Sequence, residues 1–191
     1  MTSGLSSKFD EALAYAADLH RDQQRKGPAG IPYIAHLMSV SALVLEAGGS
    51  ETQAIAGLLH DAAEDQGGEA TLAEIERRFG SEVAAIVRAC SDTTEEPKPS
   101  WRARKEAYIA HLATAPEEAL LVSLADKVHN ARSIVSDYRV EGPSVFERFN
   151  PDSDQHWYYG ELAGAFRARL GDEPLVRELE VAVGELQRLY R

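Results

Sequence analysis

The sequence predicts an all-α, single-domain protein. Apolar residues recur at three- and four-residue intervals through most of the chain, Gly- and Pro-containing stretches interrupt that rhythm, and nothing alternates with the period of a strand. A chain of 191 residues is long enough to bury one full core and leaves little room for a second.

The first helix is expected over about residues 8–24, where Phe9, Leu13, Ala16, Ala17 and Leu19 keep helical spacing. The stretch RKGPAGIPY, 25–33, must leave the helix because it holds two prolines and two glycines. It brings Arg25 and Lys26 to one side and Tyr33 to the other. A second helix over about 34–47 is closed by Gly48 and Gly49, and a third runs over about 50–63 with Ser50 as its cap. His60 and Asp61 fall at the end of that third helix. Thr71 with Glu74 is a capping-box pattern that opens a helix to Phe79, Gly80 stops it, and 81–90 is helical again.

TTEEPKPS, 93–100, is the most loop-like interior stretch, and a helix over about 101–113 follows it. Pro116, Glu117 and Glu118 open another helix, whose apolar positions Leu120, Leu121, Leu124, Ala125 and Val128 mark it as buried and carry it past Ile134. After a mobile-looking connection, EGPSVFERFNPDSD, two helices are expected over about 155–170 and 174–190. Residues 1–140 are thus read as the core, and 141–191 as a C-terminal helical extension of the same domain.

Composition narrows the function classes. A formal net charge of −11 gives a field that repels phosphate backbones, so no nucleic-acid partner is expected. A small anionic substrate then needs a local cationic pocket or a metal. Cys90 is the sole cysteine, which rules out an intramolecular disulfide, and its apolar helical run VAAIVRAC reads as a buried thiol. MTSGLSSKFD has no apolar core for a signal peptide, and no run approaches the roughly 18 apolar residues of a spanning helix, so no membrane partner and a cytoplasmic location are expected.

The chemistry concentrates in two segments. In LLHDAAED, His60 and Asp61 follow an apolar helical run, where an unpaired carboxylate costs several kcal/mol unless a cation accompanies it. Glu64 and Asp65, three and four residues on, border the same helical face. In SLADKVHN, Asp126 sits among Leu124, Ala125 and Val128, with Asn130 one turn later on its face. His36, in PYIAH, adds an imidazole at a helix start. Two imidazoles and two carboxylates suit Mn²⁺, Fe²⁺ or Zn²⁺, with manganese the first expectation, and an octahedral ion so held keeps positions open for water and substrate.

The ordered set His36, His60-Asp61 and Asp126 resembles the H…HD…D signature of the HD superfamily of metal-dependent phosphohydrolases. RKGPAGIPYIAH, LLHDAAED and LADKVHNAR are similar to segments of the RelA/SpoT-type hydrolase domain, especially stand-alone small alarmone hydrolases, over roughly residues 8–135. The resemblance implies an HD-type helical bundle, Mn²⁺ or another divalent ion on those four ligands, and hydrolysis of the 3′-pyrophosphate of (p)ppGpp to GDP or GTP. It makes Glu64 and Asp65 the acidic pair that positions the attacking water, and puts Arg25, Lys26 and Asn130 at the substrate. Tyr33 is read equally as a pocket wall or as packed structure. The alternatives are an HD phosphatase for another nucleotide, such as NADPH or a deoxynucleoside monophosphate, and a non-catalytic nucleotide-binding module; a homo-oligomer is compatible with all three.

The other histidines receive plainer readings. His20 and His111 lie at the edges of helical faces and are expected to be exposed or structural. His129 is turned about 100° from Asn130 and is expected to miss the Asp126 face. Trp157, Tyr158 and Tyr159 are read as core or subunit-contact aromatics rather than a base-stacking platform.

Overall fold

The computed structural model describes residues 4–27, 30–91 and 99–189. It is all-helical among these, with a single isolated bridge, Gln24 to Pro32, as the only strand-like pairing. Helix α1, Ser7–Leu19, is capped by Ser6, whose hydroxyl accepts from the Lys8 amide. It stops five residues short of the expected end. The reason is tertiary: Arg25 N–H donates to the Ile31 carbonyl and Tyr33 N–H to the Gln23 carbonyl, both at 2.9 Å, so residues 23–25 pair with 31–33 instead of continuing the helix.

Helices α2, Ile34–Glu46, and α3, Glu51–Leu59, pack closely, with Ser41 Oγ donating to the Ala54 carbonyl at 2.9 Å. Ser50 and Gln53 form a reciprocal capping box at the start of α3. The expected third helix does not continue to residue 63. It breaks at His60 and Asp61 and resumes as the short α4, Ala62–Asp65. His60 Nδ1 lies 2.9 Å from the Gly57 carbonyl, the acceptor that the Asp61 amide would use in an unbroken helix.

Helix α5, Gly68–Phe79, begins three residues before the expected capping box. Thr71 is buried inside it, and its hydroxyl donates back to the Gln66 carbonyl at 2.7 Å, so it braces the α4–α5 turn instead of capping. Gly67, at φ +125°, makes that turn, a conformation side-chain-bearing residues rarely adopt. Helix α6, Ser81–Cys90, follows. The loop expected at 93–100 lies, but for its last two residues, outside the described residues.

Helices α7, Trp101–Leu112, and α8, Glu117–Glu141, come next. Within the connection expected over 141–154, residues Gly142–Arg148 form a 3-10 helix. Val145 is fully buried there, and Arg148 pairs with Asp137 at 2.7 Å and with Glu141. Helices α9, Gln155–Leu170, and α10, Pro174–Leu189, complete the fold.

Helix α8 is the axis of the bundle. It packs against α2, α3 and α6 and against α10, and Leu120, Leu124, Ala125 and Val128 are essentially without solvent exposure. The buried residues of α9 and α10, among them Leu162, Phe166 and Leu179, belong to the same continuous cluster as those of α2, α3 and α8. Arg169 reinforces the junction by donating to the Leu112 carbonyl and, at 3.0 Å, to that of Ala115, which satisfies acceptors at the end of α7. Among the described residues no helix is long and apolar enough to cross a membrane.

Because Phe166 is fully buried in that shared cluster, Phe166→Ala is expected to cost about 3–5 kcal/mol. Urea unfolding should register the loss in one cooperative transition. A second, separate transition would make 141–191 an independent unit.

A candidate metal centre and its pocket

The polar residues that the sequence places in apolar helices converge on one point. His36 comes from the first turn of α2, His60 from the break after α3, and Asp126 from the middle of α8, and one ligand atom from each lies within 4.8 Å of the others. All three are buried. His36 Nε2 is 3.2 Å from Asp126 Oδ1 and 3.5 Å from Asp61 Oδ2; His60 Nε2 is 3.1 Å from Asp61 Oδ2 and 3.6 Å from Asp126 Oδ1. Asp61, partly exposed, therefore closes the set from the cavity side.

The outer nitrogens of both rings are anchored, His60 Nδ1 on the Gly57 carbonyl and His36 Nδ1 at 2.8 Å from His129 Nδ1. The inner Nε2 atoms are buried and make no hydrogen bond of ordinary geometry. Two orphaned imidazole nitrogens facing two carboxylates are a donor set for a divalent ion, and the residues fit one.

The electrostatics agree. Burial opposes charge on His60, but Asp61 and Asp126 outweigh it and hold the imidazole pKa well above its ordinary value. Burial likewise opposes charge on Asp61 and Asp126. For Asp61 the His60 and His36 rings reverse that effect, and for Asp126 Lys127 does so first, so both carboxyls stay well below the usual range. The point between the two rings thus favours positive charge.

Asp126 is held on both oxygens. Lys127 Nζ lies 2.6 Å from Oδ2, and Asn130 Nδ2 donates to Oδ1. Lys127 was not among the expected site residues, although a lysine beside a carboxylate in a buried helix was a readable signal. His129 corrects the sequence reading. Its 100° offset from Asn130 holds within α8 alone, whereas α2 packs against α8 and brings His36 to it. Burial, then His36 and Arg25, push the His129 pKa down to about 4, which keeps that ring neutral.

A cavity of about 770 Å³ opens over the cluster, and Arg25, Lys26, Tyr33, Asp61, Glu64, Asp65, Asp126 and Asn130 all line it. Arg25 Nη2 donates to Asn130 Oδ1 at 2.8 Å, so one amide joins the loop arginine to Asp126. Lys26 is exposed, and its carbonyl accepts from Arg148 at 3.4 Å. Gly27, at φ +128°, lets the loop pass over Arg148, since a Cβ there would lie 2.8 Å from the guanidinium carbon.

Tyr33 lines the cavity, where its hydroxyl donates to Asp61 Oδ2 at 2.6 Å, and its ring stacks on the buried His20 at 5.3 Å. Glu64 is half-buried on α4, while Asp65 is exposed and accepts from Gln23 Nε2 at 2.8 Å. Tyr158 and Tyr159 are buried, yet they also form the far wall of the cavity, beside Arg104 and Lys105 of α7. Those two cations were also absent from the sequence reading, because only the packing of α7 on α9 turns them inward. His111 is exposed, and Cys90 is a buried thiol whose pKa burial raises.

Comparison with known proteins gives a consistent pattern. The HD domain family matches residues 12–150. The chain is 38% identical over 154 residues to the guanosine-3′,5′-bis(diphosphate) 3′-pyrophosphohydrolase MESH1 of Drosophila melanogaster, covering 80% of this chain and 81% of that one. It is also 38% identical to human MESH1 over 126 residues, 65% of this chain and 68% of that one. Among solved structures it is similar to a metazoan ortholog of SpoT described as hydrolysing ppGpp and acting in starvation responses, with a TM-score of 0.73, 29% identity, and coverage of 99% and 98% of the two chains. A Listeria monocytogenes EGD-e protein, lmo0812, matches with a TM-score of 0.69, 32% identity and coverage of 80% and 99%.

Asp61 and Asp126 hold the His60 imidazole toward its charged form, so a divalent ion competes there with a proton. Binding is therefore expected to release a proton and to weaken as pH falls. Calorimetry of Mn²⁺ binding in buffers of different ionisation enthalpy measures this directly. A heat independent of buffer would contradict it.

Proposed function

Because this chain belongs to the HD domain family, we propose that it is a divalent-metal-dependent phosphohydrolase that removes the 3′-pyrophosphate of (p)ppGpp, with Mn²⁺ as its ion. The observation that carries this reading is the pairing of two features in one cavity. Asp126 of the buried His36, His60 and Asp126 triad lines it together with Asp61, and Arg25, tied to Asp126 through Asn130, lines it too. Similarity to the MESH1 pyrophosphohydrolases supports the choice of nucleotide.

His36, His60, Asp61 and Asp126 would hold the ion. When bound, such an ion supplies Lewis-acid chemistry, making a water more acidic and offsetting charge on a phosphate. Glu64, on the short helix that follows the His60-Asp61 break, orients the attacking water and takes its proton, with Asp65 as the second acid of the pair. The water oxygen ends on the pyrophosphate, and the ribose 3′ oxygen leaves and gains a proton. Arg25 and Lys26 neutralise pyrophosphate oxygens, the arginine as a bidentate fork. In a chain of net charge −11 these contacts act locally, since the long-range field opposes the substrate. Tyr33 steadies Asp61 through its hydroxyl.

The deciding experiment incubates the Mn²⁺-loaded protein separately with ppGpp, NADPH and a deoxynucleoside monophosphate and identifies the products. GDP and pyrophosphate from ppGpp at the highest kcat/KM are expected. Preference for another nucleotide would move the substrate assignment, and no turnover of any would favour a binding module. Glu64→Gln should retain Mn²⁺ and lower kcat by roughly 10²- to 10⁴-fold; an unchanged kcat removes Glu64 from the base role.

The two loop cations should differ. Arg25 is half-buried and oriented by Asn130, whereas Lys26 is exposed. Arg25→Ala is expected to reduce kcat/KM by about 1.5–3 kcal/mol of lost charge-assisted contact, and Lys26→Ala by less, with Mn²⁺ affinity unchanged in both. Equal kcat/KM in Arg25→Ala and the parent would dissociate this loop from the substrate.

A further inference from the structure

His36 and His60 face the same point with Nε2, but they are anchored in different ways. His60 Nδ1 is 2.9 Å from the Gly57 carbonyl, an acceptor that never titrates or changes tautomer. His36 Nδ1 is 2.8 Å from another imidazole nitrogen, His129 Nδ1, with ring centroids 4.8 Å apart. A hydrogen bond between two ring nitrogens needs one protonated and one bare, so its direction is set by whichever ring is constrained elsewhere.

We propose that His129 is the positioning residue for the metal ligand His36, accepting the His36 Nδ1 proton so that the Nε2 lone pair faces the ion. This rests on the metal-centre reading above. The opposite direction is incompatible with ligation: if His129 donated, a neutral His36 would carry its proton on Nε2, pointed at Asp126 3.2 Å away, with no lone pair left for a cation. The accepted direction gives His129 the Nε2–H tautomer. It makes α8 the source of both a ligand, Asp126, and the support of a second ligand that α2 contributes. Partners of this kind fix the tautomer and aim of a ligating imidazole, and their loss typically weakens metal binding by about 10–100-fold.

The test measures Mn²⁺ affinity of metal-stripped protein, a readout independent of which nucleotide is turned over. His129→Leu, which fills similar space without an acceptor, is expected to weaken Mn²⁺ binding about 10- to 100-fold while helical content stays parental. His129→Asn, whose side-chain oxygen can accept at a similar place, should recover most of that loss. Parental affinity in His129→Leu, or equal weakening in the two variants, would overturn the proposal.

Should His129→Leu fail to fold, the Asn variant still decides, together with nitrogen NMR of the parent loaded with diamagnetic Zn²⁺. That spectrum is expected to show His129 bare at Nδ1 and His36 protonated there, and the reverse pattern overturns the assignment. His60→Ala serves as the reference. If it too leaves Mn²⁺ affinity intact, the metal centre itself is wrong; if it abolishes binding while His129→Leu is silent, only the role of His129 falls.

Discussion

The fold is organised around a charge problem. Two imidazoles and a carboxylate are buried, with a second carboxylate at their edge, and none of the four is a group that an apolar interior tolerates alone. Their attraction for one another offsets part of that desolvation, which is why His60 is held toward its charged form and both aspartates toward theirs. The inner nitrogens of the two rings nevertheless remain without a hydrogen bond. A divalent cation is the group that completes such a cluster, so the constraint that burdens the core is the same one that makes it a site.

Helix α8 is where structure and chemistry share residues. Leu124, Ala125 and Val128 face the core, while Asp126, Lys127, His129 and Asn130 within the same turn and a half reach the metal cluster, the far wall and the loop arginine. Asn130 is notable for its two roles, since its amide donates to Asp126 and its carbonyl accepts from Arg25. Asp126 of the buried cluster and the loop arginine are thereby set relative to one another by one side chain, without a flexible intermediary.

The acidic surface and the anionic substrate are reconciled by locality. Arg25 and Lys26 stand on a loop whose shape is imposed by backbone pairing with 31–33 and by Arg148 beneath Gly27. Arg148 belongs to the segment after α8, and Tyr158, Tyr159 and Asn150 from beyond it line the same cavity. The final quarter of the chain therefore contributes to the pocket as well as to the core, which a division of the protein into core and appendage would conceal.

Much of the protein was legible in its sequence because the relevant information is local. Helical periodicity, Ser50 as a cap, and the glycine stops after α2 and α5 depend on residues a few positions apart, and the helices of the structure lie close to where those signals put them. That His60, Asp61 and Asp126 needed partners was legible for a related reason: a polar group in an apolar run is conspicuous without any knowledge of what it meets, whereas His36, at a helix start, stood out only in combination with them. The misreadings share the opposite property. The early end of α1, the break at His60, the inward role of Thr71, the 3-10 helix at 142–148 and the contact of His129 with His36 all depend on acceptors or rings supplied by other segments of the fold. The sequence by itself determined which groups had to be compensated; the tertiary structure decided by whom, because hydrogen-bond partners across helices are set by packing geometry that no single helix encodes.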